Sequence, residues 1–277
     1  MSIEGRTVLV TGATDGLGKR LAMRLAGEGA EVLLHGRDPD KGAAVLAEIQ
    51  DETGNPRLAF HAADLASLDE VRDLARAVTA AHPRLHVLVN NAGIGLFGDD
   101  RRRESRDGHE LQFAVNYLSH FLLTQLLLPT LRASTPARIV NVSSIGQAPL
   151  DFDDLMLERA YTGTQGYCQS KLAQVMFTLD LSERLKGTGV TVTALHPATF
   201  MDTNMVSGAG LAPRSTVAEG AEALYRLVAS PEVEGDTGVF YNQLSLGRAN
   251  DQAYDAGARR ELWRRSLRLA GAPIEAA

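Results

Sequence analysis

Short runs rich in Val, Ile and Leu alternate along the chain with longer segments of helical period, and this alternation constrains the fold more than any other feature. The runs are "TVLVT" (7–11), "EVLLHG" (31–36), "RLAFHAA" (57–63), "HVLVN" (86–90), "ARIVNVS" (137–143), "VTVTALH" (190–196) and "GVFYN" (238–242). Several are apolar on both faces, as strands of a parallel sheet covered by helices must be. Helices are predicted over 16–29, 39–53, 67–81, 106–132, 166–186 and 216–229. Asp38-Pro39 supplies a capping side chain and a first helical residue for the second. Ser67 with Glu70 has the capping-box spacing for the third. The pattern predicts an α/β chain, a doubly wound parallel sheet of about seven strands with right-handed crossovers and helices on both faces. No linker-like composition or solenoid repeat interrupts it, so residues 1–277 read as one domain. The Ala/Arg-rich stretch at 247–277, with a helix at 257–270, reads as a peripheral extension.

Of the 277 residues 44% are hydrophobic and 22% charged, the balance of an ordinary globular chain. A formal charge of −6 disfavours nucleic acid or an anionic membrane as the main partner. Arg101, Arg102 and Arg103 are flanked by Asp99, Asp100, Glu104 and Asp107, and read as a solvated loop. The single cysteine, Cys168, leaves no internal disulfide or multi-cysteine zinc site, no histidine pair has ligand spacing, and no metal is expected. The apolar stretch "FLLTQLLLPTL" (121–131) contains Thr124, Gln125 and Pro129, and falls short of the roughly 20 residues of a membrane span. With no signal-like segment, a cytoplasmic location is expected.

"TGATDGLG" (11–18) follows the first strand and opens the first helix. Gly12, Gly16 and Gly18 let the backbone turn tightly and approach a pyrophosphate, which a helix N-terminus favours. Thr14, Asp15 and Leu17 complete this candidate cradle. A tight turn without a ligand is the bland alternative. After the second strand come Gly36 and Arg37, where an NAD site would carry an acidic residue on the ribose. The guanidinium fork of Arg37 suits a 2′-phosphate, which favours NADP(H) over NAD(H); Asp15 and Asp38 argue mildly against. Asp64, with Leu65, is placed either to reach the adenine edge or to form a turn.

"NNAG" (90–93) follows the fourth strand, "NVSS" (141–144) the fifth, and "YCQSK" (167–171) opens a helix. These motifs, in this order after "TGATDGLG", resemble the short-chain dehydrogenase/reductase family up to about residue 245. "GYCQSKLAQVMFT" and "DGHELQFAVNYLSHFLLT" are most similar to its retinol dehydrogenase-like branch. The resemblance implies a Rossmann-type fold and a tetrad of Asn116, Ser144, Tyr167 and Lys171, with Ser143 the lesser candidate for the serine. It also implies cofactor contacts from Asn91, Ala92, Gly93, Tyr167, Lys171 and Pro197. "PA" (197–198) stands where the family has Pro-Gly, and Thr203 lies one residue further on than its threonine, so Thr199, Thr203 or nearby backbone is left to hold the carboxamide. In that reading Asn116 binds a water connecting Lys171 to solvent.

Tyr167 and Lys171 share a helix face. A cation about 4 Å from the phenol at an effective dielectric near 20 is worth roughly 4 kcal/mol, about three pKa units, so the phenol is expected to fall from its ordinary value of about 10 towards neutrality. The activity implied is NADP(H)-dependent interconversion of a carbonyl and an alcohol, with Tyr167 moving the proton. A cofactor-binding sensor, and an epimerase using transient oxidation, are the alternatives. The 22 residues between Ser144 and Tyr167 are an extension expected to wall the substrate site. Phe97, Gln147, Tyr161, Phe200, Met201 and Met205 are candidate pocket residues, with 199–214 as a substrate loop; core packing is the plainer reading of each. Their apolar bias suggests a small hydrophobic substrate. Monomer and homodimer both stay open.

Overall fold

Strand β1 (Thr7–Val10) lies at the centre of a sheet ordered β3-β2-β1-β4-β5-β6-β7-β8. The computed structural model describes residues 2–271, so the last six positions of the predicted C-terminal extension lie outside the described residues. The other strands are β2 (Glu31–Gly36), β3 (Leu58–Ala62), β4 (Val87–Asn90), β5 (Ala137–Val142), β6 (Val190–His196), β7 (Val239–Asn242) and β8 (Ser245–Gly247). Seven are parallel, as the alternation predicts. The eighth, absent from the sequence reading, runs antiparallel to β7. Three residues with no apolar run carry no strand signal; a two-residue turn pairing Asn242 with Ser245 creates it.

Alternate residues of each strand feed opposite cores. Leu9, Leu33, Leu88, Ile139 and Val192 face one hydrophobic cluster. Val8, Val32, Leu34, Val89 and Val140 face the other. Helices α1 (Gly16–Gly27), α2 (Pro39–Thr53) and α7 (Val217–Ala229) cover the second. Helices α3 (Leu68–Ala81), α4 (Leu111–Ala133), α5 (Gly163–Arg184) and α8 (Ala256–Leu269) cover the first. A short α6 (Asn204–Gly208) lies within the predicted substrate loop. Helix α4 is long and apolar enough to cross a bilayer by composition, yet most of it is buried in the fold.

The stretch from Gly247 is not peripheral. Trp263 of α8 packs edge-on against Phe121 at 5.1 Å and stacks on Phe177 at 5.9 Å, with the Arg184 guanidinium 3.9 Å above its ring. Aromatic pairs of this geometry contribute beyond their buried area. The third helix is capped by only half of a box. Ser67 accepts from Glu70 N at 3.4 Å, but the Glu70 carboxylate turns to Asp64 N at 2.7 Å. The reciprocal box is at Thr216 and Glu219, opening α7. Asp38 caps α2 through Asp40 N and Lys41 N.

Candidate active site

The strand order reverses between β1 and β4, and ligands of open α/β sheets bind at that point, beyond the strand C-termini. The turn after β1 is built for close approach. A β-carbon on Gly18 would lie 2.2 Å from Gly12 O and 2.5 Å from Asn91 Nδ2; one on Gly12, where φ is +65°, would lie 2.8 Å from Ala92 Cα. Gly16 also has positive φ, and Thr203 reaches over it. Asn91 Nδ2 donates to Thr11 O at 2.8 Å and Gly12 O at 3.1 Å, holding "NNAG" against the glycine turn. Thr14 packs on Gly36, which has no room for a side chain. Leu17 and Leu65 are buried and anchor the backbone from below.

Asp15 caps α1, accepting from Gly16 N at 2.8 Å, and receives Asn204 of α6 on its other oxygen. Asp64 forms an Asx-type turn, with Oδ1 accepting from Ala66 N at 3.0 Å and Oδ2 4.0 Å from Arg106. Arg37 is exposed immediately after β2, and no carboxylate pairs with it among the described residues. The donor set and the side-chain-free cradle fit a dinucleotide, with the pyrophosphate at Gly12–Gly18 and the ribose end near Arg37.

The four residues of the implied tetrad converge beyond β4 and β5. Lys171 is buried, and its Nζ donates to Val142 O and to Gln174 Oε1, both at 2.9 Å. Burial lowers this ammonium to about 7. A β-carbon on Gly93 would lie 3.5 Å from Nζ, so the "NNAG" backbone passes close to the amine. Tyr167 stands with its ring centroid 5.6 Å from Nζ, and Ser144 hydrogen-bonds its hydroxyl. The expected fall in the phenol pKa is not found. Burial pushes Tyr167 up to about 12 against the opposing pull of Ser144. The lysine points at Val142 and Gln174 instead, and desolvation of the phenolate dominates.

Asn116 is fully buried in the segment Ala114–Leu118, where α4 widens to a π-helix, a feature frequent at functional sites. Its Oδ1 accepts from Ile94 N at 2.8 Å, and its Nδ2 donates to Ile94 O at 3.0 Å and Ser170 Oγ at 2.9 Å. The amide therefore clamps the loop after "NNAG" to helix α5. Ser143 donates to Lys171 O at 2.7 Å, leaving Ser144 as the serine on the phenol.

The candidate pocket residues divide. Phe97 lies against Tyr167, ring centroids 4.6 Å apart. Tyr161 receives Gln112 Nε2 at 3.2 Å and lines the start of α5 beside Gly166. Gln147 is a tie: its Nε2 donates to Ser144 O at 2.6 Å and its Oε1 accepts from Asn250 N at 2.8 Å. Met201, half-buried, packs its sulfur over Gly220 against the core beneath the loop. Phe200 has φ +46°, with Arg214 5.5 Å from its ring, and Met205 is half-buried on α6. Thr199 contacts His196 Nε2 at 3.0 Å through its hydroxyl, Thr203 precedes α6 with its hydroxyl turned to Met201 O at 3.4 Å, and Pro197 is buried at the end of β6.

A polar thread beneath the site was not foreseen. Asn90 Nδ2 donates to Asn141 Oδ1 at 2.8 Å, and Asn141 Nδ2 to Thr178 Oγ1 at 2.8 Å. The asparagines near the ends of "HVLVN" and "ARIVNVS" were the available signal. Glu110, buried and held above its usual range by desolvation, caps α4 through Gln112 N and Phe113 N.

A glycine cradle at the sheet's switch point, beside a serine-bound phenol and a buried amine, defines an oxidoreductase that uses a nicotinamide dinucleotide on CH–OH groups. Residues 6–212 match the short chain dehydrogenase family, and the chain belongs to it, in the retinol dehydrogenase-like branch. It is 41% identical over 288 residues to retinol dehydrogenase 13 of Mus musculus, covering 98% of this chain and 85% of that protein. An uncharacterised protein from Mycobacterium paratuberculosis superposes with TM-score 0.81 at 31% identity, over 99% of this chain and 97% of that one. A short chain dehydrogenase from Escherichia coli CFT073, complexed with NADPH, superposes with TM-score 0.71 at 28% identity, over 87% and 98%.

Proposed function

We propose that the protein is an NADPH-dependent reductase of apolar aldehydes or ketones, and that the hydrogen-bonded pair of Ser144 and Tyr167 beside buried Lys171 carries the chemistry. The glycine turn would hold the cofactor, whose chemistry when bound would be hydride donation to a carbonyl carbon. Ser144 orients the carbonyl oxygen, and Tyr167 donates its phenolic proton as negative charge develops there. A phenol with a pKa about 12 is protonated at neutral pH, which suits the reductive direction. Lys171 Nζ, 5.6 Å from the Tyr167 ring centroid, would in its charged form favour the phenolate left behind. Asn116 holds the Ile94 backbone and Ser170, so that α5 presents Tyr167 to the crevice. NADP(H) over NAD(H) is supported by Arg37, exposed after β2 with no carboxylate partner among the described residues, and by the NADPH bound in the E. coli relative. The apolar side of the substrate is supported by Phe97 on the tyrosine ring and by the retinol named for the Mus musculus relative. We place the protein in the cytoplasm, a reading that subcellular fractionation tests.

The deciding experiment follows NADPH oxidation over a panel of apolar aldehydes and ketones that includes retinal. Tyr167→Phe is expected to lose at least about a thousandfold in kcat while NADPH still binds. Turnover retained in that variant sinks the mechanism. Silence of the wild type over the whole panel, with NADPH bound, points to a cofactor sensor. Arg37→Ala is expected to weaken NADPH about tenfold or more and leave NADH unchanged; equal NADPH affinity in both proteins refutes the role of Arg37.

A further inference from the structure

His120 is buried in α4, one turn after Asn116. Its Nδ1 lies 3.0 Å from Asn116 O, and its Nε2 lies 3.1 Å from the Thr11 hydroxyl, 109 positions away in sequence. A carbonyl oxygen only accepts, so Nδ1 carries the hydrogen and, in the neutral ring, Nε2 is the acceptor. Thr11 Oγ1 already accepts from Asn91 N at 2.9 Å and Ala92 N at 3.0 Å, which uses both of its lone pairs. Its one hydrogen lies between two acceptors, Val89 O at 3.2 Å and Nε2 at 3.1 Å, and the shorter contact is the one to the ring. Burial lowers His120 to about 3, so this arrangement persists throughout the working pH range.

The partners give the ring its meaning. Thr11 opens the glycine turn and fixes the "NNAG" backbone. Asn116 grips Ile94 and Ser170, and Ser170 donates to Tyr167 O at 2.7 Å. We propose that His120 is a positioning residue whose imidazole joins the nucleotide turn at Thr11 to the π-helical turn at Asn116, holding the cofactor cradle and the Tyr167 helix in one register. The proposal rests on the function given above and adds a residue to it. It requires a donor at one end of the ring and an acceptor at the other, which a side chain that merely fills the core does not.

The test uses the full chain and separates the two ends. In His120→Asn the amide nitrogen replaces Nδ1 and keeps the bond to Asn116 O. In His120→Gln the amide group reaches the Nε2 position and keeps the contact with Thr11. His120→Asn is expected to weaken NADPH binding, read by titration, about tenfold, and to lower kcat by about threefold or less. His120→Gln is expected to show the reverse, a kcat about tenfold lower and NADPH affinity changed by about threefold or less. Equal losses in both quantities, tracking the fall in Tm, would mean that the residue only packs and would overturn the proposal. Should a variant fail to fold, the nitrogen-15 imidazole spectrum of the wild type decides: the Nδ1–H tautomer is expected, and the Nε2–H tautomer overturns the assignment. A wild type that binds no NADPH defeats the function proposed above, whereas a wild type that binds and turns over without the crossed pattern defeats only the role of His120.

Discussion

Around the nucleotide turn, buried side chains hold backbone from several directions; the loop at 199–214 is held mostly by its own backbone bonds and is more exposed. On the first side, His35 accepts from Gly12 N at 3.2 Å and donates to Ala63 O at 3.1 Å, Asn91 holds Thr11 and Gly12, and His120 holds Thr11. On the second, Ser215 Oγ reaches Thr199 O at 2.6 Å, Asp202 accepts from Val217 N at 2.6 Å, and Asn204 meets Asp15, while most of the residues between are exposed or half-buried. The contrast follows from what each wall must do. A pyrophosphate cradle needs backbone at fixed positions, so its supports are buried and numerous. A substrate wall needs a shape that side chains can supply, and it tolerates change.

Gly18→Ala should break the first wall most severely. The added carbon would overlap Gly12 O and Asn91 Nδ2, both fixed by the fold. Loss of NADPH binding is expected, with about 3 kcal/mol of stability lost in denaturant unfolding. Normal NADPH affinity in that variant would mean the cradle is not the cofactor site.

Acid should act on the same wall. Burial lowers His35 from its ordinary value to about 4, so the unfolded chain takes up the proton before the folded one does. The associated stability is fully present above about pH 6.5 and is lost as pH falls towards 4, on the order of 3 kcal/mol for this group. His120 and His196, lowered to about 3 and about 4 by burial, act in the same direction. His35→Asn retains an acceptor for Gly12 N without a titrating ring, and its Tm should depend less steeply on pH over this range. An unchanged pH dependence would remove His35 from the account.

Gln147→Ala should affect the substrate side alone, through the extension after Ser144 that lies outside the loop at 199–214. It removes the bonds to Ser144 O and Asn250 N, and kcat/KM is expected to fall roughly tenfold while NADPH affinity stays within about twofold. A matching loss of NADPH affinity would show that the walls are coupled through Ser144. Phe200→Asn should have the smallest effect. Asparagine tolerates positive φ, so relief of backbone strain offsets the lost contact with Arg214, and stability should change by about 0.5 kcal/mol or less. A loss above about 2 kcal/mol would mean that this loop is as tightly specified as the cradle.

The sequence was most informative where local chemistry dictates structure. The parallel strands follow from apolar runs, and the glycine turn from the demand for backbone without side chains. It was least informative where a role depends on a distant partner. Strand β8 has only Ser245–Gly247, and it exists because the turn after Asn242 returns the chain to β7. Trp263 belongs to an Ala/Arg-rich segment whose composition suggested an appendage, but its ring meets Phe121 and Phe177. Gln147 and Met201 looked like pocket residues because both lie in loops near the site. The first is a tie, and the second is half-buried and packs its sulfur over Gly220 against the core.

By itself the sequence determined the α/β alternation, the branch of the short chain dehydrogenase family, and which serine, tyrosine and lysine to look for beside the glycine turn. Periodicity, glycine placement and motif order are carried by neighbours along the chain and can be read there. Only the tertiary structure decided the protonation of those groups and what holds them. Tyr167 is pushed up to about 12 and Lys171 down to about 7 by burial, which no spacing reveals. His120 acquires its two partners only when Thr11 and Asn116 are folded against it from opposite ends of its ring.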